Sequence, residues 1–186
     1  RDFLRKIAAV GATMGLSPFA INRMIGSEEL KFNTKHYKDD TSENGIATMI
    51  STWNHGMQAN SAGFKALRAG GNAMDMIEAA ARIVEEDAEG LSVGLGGLPD
   101  RDGNVTLDAC CMDHKGRAGS VCFLQDIMYP LSVARKVMEE TPHVMLAGEG
   151  AKQFALEQGF KTTDLLTEKA KKAWEKWKVE SKYEHI

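Results

Sequence analysis

Residues 105–112 read Val-Thr-Leu-Asp-Ala-Cys-Cys-Met, 113–116 read Asp-His-Lys-Gly, and 117–124 read Arg-Ala-Gly-Ser-Val-Cys-Phe-Leu. Two runs rich in β-branched and small apolar residues flank four turn formers. That spacing predicts a strand, a tight turn and a returning strand, a β-hairpin. Helices are expected on both sides of it. Upstream, 60–69 has helical spacing, with Ala62, Phe64, Ala66 and Leu67 apolar and Gly70-Gly71 as the stop. Asn72 is placed to cap a second helix reaching about Asp87. Its apolar residues Ala73, Met74, Ile77, Ala80, Ala81 and Val84 recur at three- and four-residue steps, which predicts one buried face. Downstream, 130–140 reads as a helix with Pro in its first turn, 150–158 as a helix ended by Gly159, and 167–179 as a charged helix. Residues 144–147 are a short apolar run.

One more strand is expected before the helices. Residues 46–52, Ile-Ala-Thr-Met-Ile-Ser-Thr, are short and β-branched, and end at the polar, aromatic turn Trp53-Asn54-His55-Gly56. Strands in neighbouring pairs and helices in blocks point to an α+β layered domain rather than a doubly wound parallel sheet. Three or four strands are few for a closed core. Either the domain is small, or the remaining strands lie on another polypeptide.

The chain has 186 residues, 43% of them apolar and 26% charged, with a net charge of −3. This composition excludes a disordered tail, a collagen-like fibre and a generally basic nucleic-acid binder. The charge is uneven. Residues 43–159 hold nine Lys/Arg against sixteen Asp/Glu, whereas 1–42 and 160–186 each hold seven against five. Residues 1–26 open on Arg-Asp-Phe-Leu-Arg-Lys and continue with an uncharged run over 7–22. A basic start before a short apolar run is an export-signal pattern, and the run is shorter than the roughly 20 residues of a membrane span. The opening resembles the second half of a twin-arginine signal, so the expected location is outside the cytoplasm, in a periplasm, with no membrane attachment after export. Residues 27–45 read as a polar linker and 46–186 as the folded body.

Several small motifs carry no chemistry. Asp100-x-Asp102-x-Asn104 resembles the opening of a calcium loop, but its sixth and twelfth positions are Val105 and Cys111 instead of Gly and Glu. It reads as a solvated turn. Gly148-Glu149-Gly150 precedes a helix, but Gln153 holds the third glycine position of a dinucleotide fingerprint, so it reads as a helix entry. Cys110 and Cys111 point to opposite faces of a strand, and Cys122 is expected opposite Leu107, which disfavours a disulfide. All three read as small core residues. The five histidines show no metal-ligand spacing. Ser51-Thr52-Trp53-Asn54-His55 places hydroxyls, an indole and an amide where a strand meets a loop. On spacing alone, a core Trp with a satisfied N–H is favoured over a pocket wall.

Ser51-Thr52-Trp53-Asn54-His55-Gly56, Ala69-Gly70-Gly71-Asn72-Ala73-Met74-Asp75, Ser92-Val93-Gly94-Leu95-Gly96-Gly97-Leu98-Pro99-Asp100 and Thr106-Leu107-Asp108-Ala109 occur in one register. Together they resemble the α-chain of the glycosylasparaginases, in the asparaginase-like branch of the N-terminal nucleophile hydrolases. Val133–Glu139 and Thr141–Gly148 extend the likeness, which covers 46 to about 183. Ser-Thr-Trp-Asn leans toward the glycosylasparaginase subgroup.

The resemblance implies a four-layer αββα fold, of which this chain is the α-chain half. It implies a precursor that cuts itself before a threonine and leaves α- and β-chains together, paired as (αβ)2. That threonine, first residue of the β-chain, attacks the side-chain amide of a glycoasparagine with its own α-amine as base. No metal or organic cofactor is implied. The scissile His-Asp-Thr motif is absent here, and the one Asp–Thr dipeptide, Asp40–Thr41, precedes polar Ser42-Glu43-Asn44-Gly45 rather than a core strand. The nucleophile is therefore expected outside this sequence. The resemblance assigns Trp53 to the wall beside it, His55 to a place where the family has phenylalanine, and Ser92, Gly96 and Gly97 to a supporting loop. The alternatives are the α-chain of a plant-type L-asparaginase or isoaspartyl peptidase, and a non-catalytic fragment.

Overall fold

A computed structural model describes residues 47–181. The expected export signal at 1–26 and linker at 27–45 lie outside the described residues. In chain order the elements are α1 (Gly56–Arg68), α2 (Ala73–Glu85), β1 (Thr106–Met112), β2 (Ala118–Gln125), α3 (Pro130–Glu140), β3 (Met145–Ala147), α4 (Gly148–Glu157) and α5 (Glu168–Glu180).

The hairpin forms where the sequence predicts it. β1 and β2 pair antiparallel, with Cys110 opposite Ser120 and Met112 opposite Ala118. The Asp113 carboxylate closes the turn, accepting the N–H groups of Lys115 and Arg117 at 2.9 and 3.0 Å. A bulge lies between Leu107 and Ala109, where the Asp108 carboxylate accepts the Phe123 N–H at 2.7 Å and Phe123 takes φ 54°. The bulge changes the expected register: Leu107 faces Leu124, not Cys122.

β3 joins β2 in parallel, giving a mixed sheet in the order β1-β2-β3. The run at 144–147 is thus a strand, and the sheet is not wholly antiparallel. α3 and α4 cover one face, because Cys111, Val121 and Leu124 pack with Val133, Ala134, Val137, Met138, Ala151 and Ala155. Contact is close at Gly119, where a Cβ would lie 2.2 Å from the Ala134 carbonyl oxygen. By strand alternation Met112 and Met145 point away from the helices, and both are exposed, as is Phe123 at the bulge. Cys110 is also exposed, so of the three cysteines only Cys111 is a core residue, and all three are free thiols.

The 46–52 run is not a strand over its described residues, 47–52, and Ile50 is 90% exposed. It pairs with no strand among the described residues, and β-branched composition alone cannot hold an unpaired strand. α1 starts four residues before the expected 60, at Gly56. Gly56 N–H donates to the Trp53 carbonyl at 3.1 Å and Ala59 N–H to that of His55 at 3.1 Å, so the turn feeds directly into the helix. α2 starts at a capping box, as Asn72 predicts. The Asn72 side chain accepts from the Met74 and Asp75 N–H groups, and Asp75 accepts from Asn72 N–H at 2.7 Å. Its buried face is Met76 and Ala80, and Ile77, expected inside, is 41% exposed. α1 packs on this helix along Gly63, where a Cβ would lie 2.9 Å from the Met76 carbonyl oxygen.

Candidate functional site

The sequence-derived site residues stand on two segments. Trp53 and His55 form the entry to α1. Ser92, Gly96 and Gly97 belong to the loop after α2. Packing of α1 on α2 joins the two segments.

The Trp53 side chain is 82% exposed and its backbone is left-handed, with φ 67°. Few bulky residues adopt that conformation, which costs about 1–3 kcal/mol unless the surroundings impose it. Beside it the Ser51 hydroxyl donates to Asn60 Oδ1 on α1, and a Cβ at Gly56 would lie 2.7 Å from Ser51 Cβ. The turn is therefore tightly closed underneath while its indole faces solvent. The reading of Trp53 as a core residue is excluded. His55 is also exposed, at the N-cap of α1.

The loop 92–99 is shaped by its glycines. Gly94 and Gly96 have φ 62° and 85°. A Cβ on Gly94 would lie 2.2 Å from Glu85 O, and one on Gly96 would lie 2.8 Å from Gly90 O. Both positions require glycine for conformation and for space. Gly97 differs: its nearest neighbours to an added Cβ are 3.4 Å away. Two backbone bonds anchor the loop, Leu95 N–H to Glu85 O at 2.8 Å and Gly96 N–H to Leu165 O at 2.8 Å. Ser92 sits at its exposed start.

Two ionisable groups behind this wall escaped the sequence reading. Glu85 is 4% exposed, and burial pushes its carboxyl up to about 7. Arg135, on α3, donates to Asp75, Glu78 and Glu139 and ties α3 to α2. The available signal was a glutamate beside Val84, on the stripe that the periodicity marks as buried. Asp100–Asn104 is the solvated turn that its motif suggested, with Asp100 Oδ1 accepting the Asp102 and Asn104 N–H groups at 2.9 Å each.

Four surface cavities, of about 420, 340, 270 and 230 Å3, are lined by other residues. The 340 Å3 cleft lies between Leu98-Pro99 and Trp174-Trp177 of α5. Among the described residues no group of three or more His, Cys, Asp or Glu side chains is arranged to hold a metal ion.

Known proteins are similar to this chain in sequence. The chain is 44% identical over all 186 residues to an N(4)-(beta-N-acetylglucosaminyl)-L-asparaginase of Elizabethkingia miricola, covering 52% of that protein. It is 41% identical over 127 residues to an isoaspartyl peptidase/L-asparaginase of Rattus norvegicus, which is 66% of this chain and 38% of the relative. A plant-type L-asparaginase of Pyrococcus abyssi matches at 42% over 118 residues, 63% of this chain and 38% of the relative. The chain thus spans about half or less of the length of these curated relatives. A family model described as asparaginase matches residues 36–186, a span that takes in the Trp53 turn, the glycine loop and the hairpin. By that match, and by full-length identity to one relative, the chain belongs to the asparaginase family.

Proposed function

We propose that this chain is the α-portion of an amidohydrolase that cleaves the amide bond between N-acetylglucosamine and the asparagine side chain. The observation that carries the reading is Trp53, an indole held out to solvent on a left-handed backbone at a closed turn. A protein holds a large aromatic ring in that state where something packs against the ring. In this reading the occupant is the substrate, beside a threonine nucleophile at the start of a β-chain from the same precursor.

The chemistry divides between the chains. The threonine hydroxyl attacks the side-chain carbonyl, and its own α-amine takes the proton. Oriented donors stabilise the tetrahedral oxyanion. The C–N bond breaks, the glycosylamine leaves with a proton, and water then releases aspartate from the ester. The α-portion supplies the indole wall, His55 beside it and Ser92 at the rim, with Gly96 and Gly97 shaping the loop. The exposed Met112, Phe123 and Met145 support a second sheet against the bare face of the first, completing an αββα sandwich, and such units pair as (αβ)2. The apolar run at 7–22 supports export to a periplasm.

A second reading shares the chemistry without the sugar. Identities of 41–42% to an isoaspartyl peptidase/L-asparaginase and a plant-type L-asparaginase, over 127 and 118 residues, support it. The full-length protein assayed on N-acetylglucosaminyl-asparagine, asparagine and a β-aspartyl dipeptide separates the readings. Turnover of the first substrate supports the proposal, and turnover of the other two alone replaces it.

A further inference from the structure

The end of the glycine loop and α5 face each other across a cleft of about 340 Å3. Leu98 and Pro99, which continue the chain from Gly97, form one wall with Asp100 and Arg101. Trp174 and Trp177 of α5 form the other. Both walls are fastened to the glycine loop. One follows Gly96-Gly97 in the chain, and the other begins just after Leu165, whose carbonyl accepts the Gly96 N–H at 2.8 Å.

The aromatic wall is preformed. The Trp174 indole N–H donates to the Arg101 carbonyl at 3.2 Å, and its ring edge fills the space over Gly103, where a Cβ would lie 2.9 Å from Cη2. Gly103 has φ 95°, so glycine is required there for conformation as well as for room. Lys178 Nζ stands 3.3 Å from the Trp174 ring centroid. Trp177 is on the same helix face, one turn on, and is 44% exposed, while Leu98 on the opposite wall is 49% exposed.

The chemistry of the lining selects the occupant. A cation is disfavoured, because the Lys178 ammonium already sits on a face of Trp174 and the Arg101 guanidinium lines the cleft. An anion meets the Asp100 carboxylate. A wholly apolar molecule would strip water from Asp100 and Arg101 without replacing its hydrogen bonds. The Arg101 Nε lies 3.1 Å from Asp102, and Asp100 Oδ1 accepts two N–H groups of its own turn, so both side chains are held in place. A guanidinium carries five N–H donors, enough to serve Asp102 and a ligand hydroxyl together. What fits is an uncharged molecule with an apolar face and a polar edge. A pyranose ring is such a molecule: its C–H face packs on indoles while its hydroxyls bond to carboxylate and guanidinium groups. The volume is at the lower end of the roughly 300–1,000 Å3 of ligand pockets, which is room for a short saccharide segment.

We propose that this cleft is a saccharide subsite, which takes sugar units that extend from the asparagine-linked N-acetylglucosamine of a larger glycan. The proposal rests on the amidohydrolase reading for the origin of the sugar, and on the cleft alone for its binding.

The full-length protein is titrated in a calorimeter with the free core pentasaccharide of asparagine-linked glycans, as Trp53→Ala and as the double variant Trp53→Ala, Trp177→Ala. The first substitution removes the indole wall of the candidate site, so the heat that remains reports the cleft. Trp53→Ala should bind the pentasaccharide, and the double variant should bind it at least roughly tenfold more weakly. With Trp53 intact, KM for the pentasaccharide-asparagine divided by KM for N-acetylglucosaminyl-asparagine should rise roughly tenfold on Trp177→Ala. No binding by Trp53→Ala, binding unchanged by the loss of Trp177, or an unmoved KM ratio overturns the proposal. If neither amide is cleaved, the amidohydrolase reading fails while the calorimetry still decides the cleft. If both are cleaved with the ratio unmoved, the subsite fails and the amidohydrolase reading stands. Should Trp177→Ala not fold, Leu98→Ser on the opposite wall replaces it, with the same expected losses and the same overturning results.

Discussion

The Arg135 guanidinium lies 2.7 Å from both Asp75 and Glu78, with a third carboxylate, Glu139, 2.8 Å from its Nε. Asp75 also closes the capping box of α2, so one cation on α3 organises the start and second turn of a different helix. The Arg135 side chain is 16% exposed, and hydrogen bonds to the three acids raise its already high pKa against the opposing effect of burial. Replacing it leaves three carboxylates facing one another. Arg135→Ala should destabilise the protein by about 2–3 kcal/mol, measured by denaturant unfolding. Arg135→Lys should recover only part of this, because an ammonium cannot serve three acceptors in one plane.

Acid should undo the same corner. The Asn72 N–H, and after it Arg135, hold the Asp75 carboxyl below the usual carboxylate range. Its stabilising contribution is complete above its unfolded pKa and is lost as pH falls through the lower folded value. Asp75 is partly exposed, so the effect is screened. Asp75→Asn should cost about 1 kcal/mol at neutral pH, and the difference from wild type should close as pH falls below the usual carboxylate range. A constant difference across that range would reject the ionic role.

Glu85 has the opposite sign. Its folded pKa is raised, so its contribution is fullest below the unfolded value near 4.5 and fades as pH rises through about 7. Thermal midpoints of wild type and Glu85→Gln should therefore agree at about pH 5, and the wild type should fall below the variant above about pH 7.5.

Gly94 and Gly97 are three residues apart on one loop, yet they should respond differently to alanine. At Gly94 the new Cβ meets backbone at 2.2 Å with φ 62°, and Gly94→Ala should cost about 3 kcal/mol or more. At Gly97 the same change meets nothing closer than 3.4 Å and should stay within about 1 kcal/mol. Urea unfolding of both variants makes the comparison.

Trp53 carries conformational cost without burial. Trp53→Gly should leave stability unchanged or raise it by about 1 kcal/mol by relieving the left-handed backbone, while turnover of the glycoasparagine collapses. Equal losses of stability and activity would mean that the indole is a packing group.

Local chemistry made much of this architecture legible in the sequence. Pro130 at a helix start, Asn72 as a cap and Asp113 at a turn act through neighbours a few residues away, and each of these elements lies within a residue or two of its expected bounds. The failures involve partners distant in the chain. Residues 47–52 have the composition of a strand but no strand beside them among the described residues. Ile77 and Met76 are equally apolar, and only the packing of α1 decides which is buried. The parallel pairing of Met145–Ala147 with β2 depends on a helix and a turn in between. At the candidate site, Trp53 and the glycines are named by the family resemblance, which rests on short local motifs, and not by spacing alone. The sequence could not name Glu85 as a buried carboxyl, because its burial and its partner, the Leu131 N–H 46 residues further on, come from tertiary packing.

The second anchor of the glycine loop runs from Gly96 to Leu165, on the segment just before α5. α5 follows directly, and on it the Trp174 indole N–H donates to the Arg101 carbonyl at 3.2 Å. A lesion in the last quarter of the described chain would thus reach the glycine loop of the candidate site from outside it. Variants there should mimic binding-site defects, and restoring the anchorage, rather than redesigning the pocket, is the way to repair them.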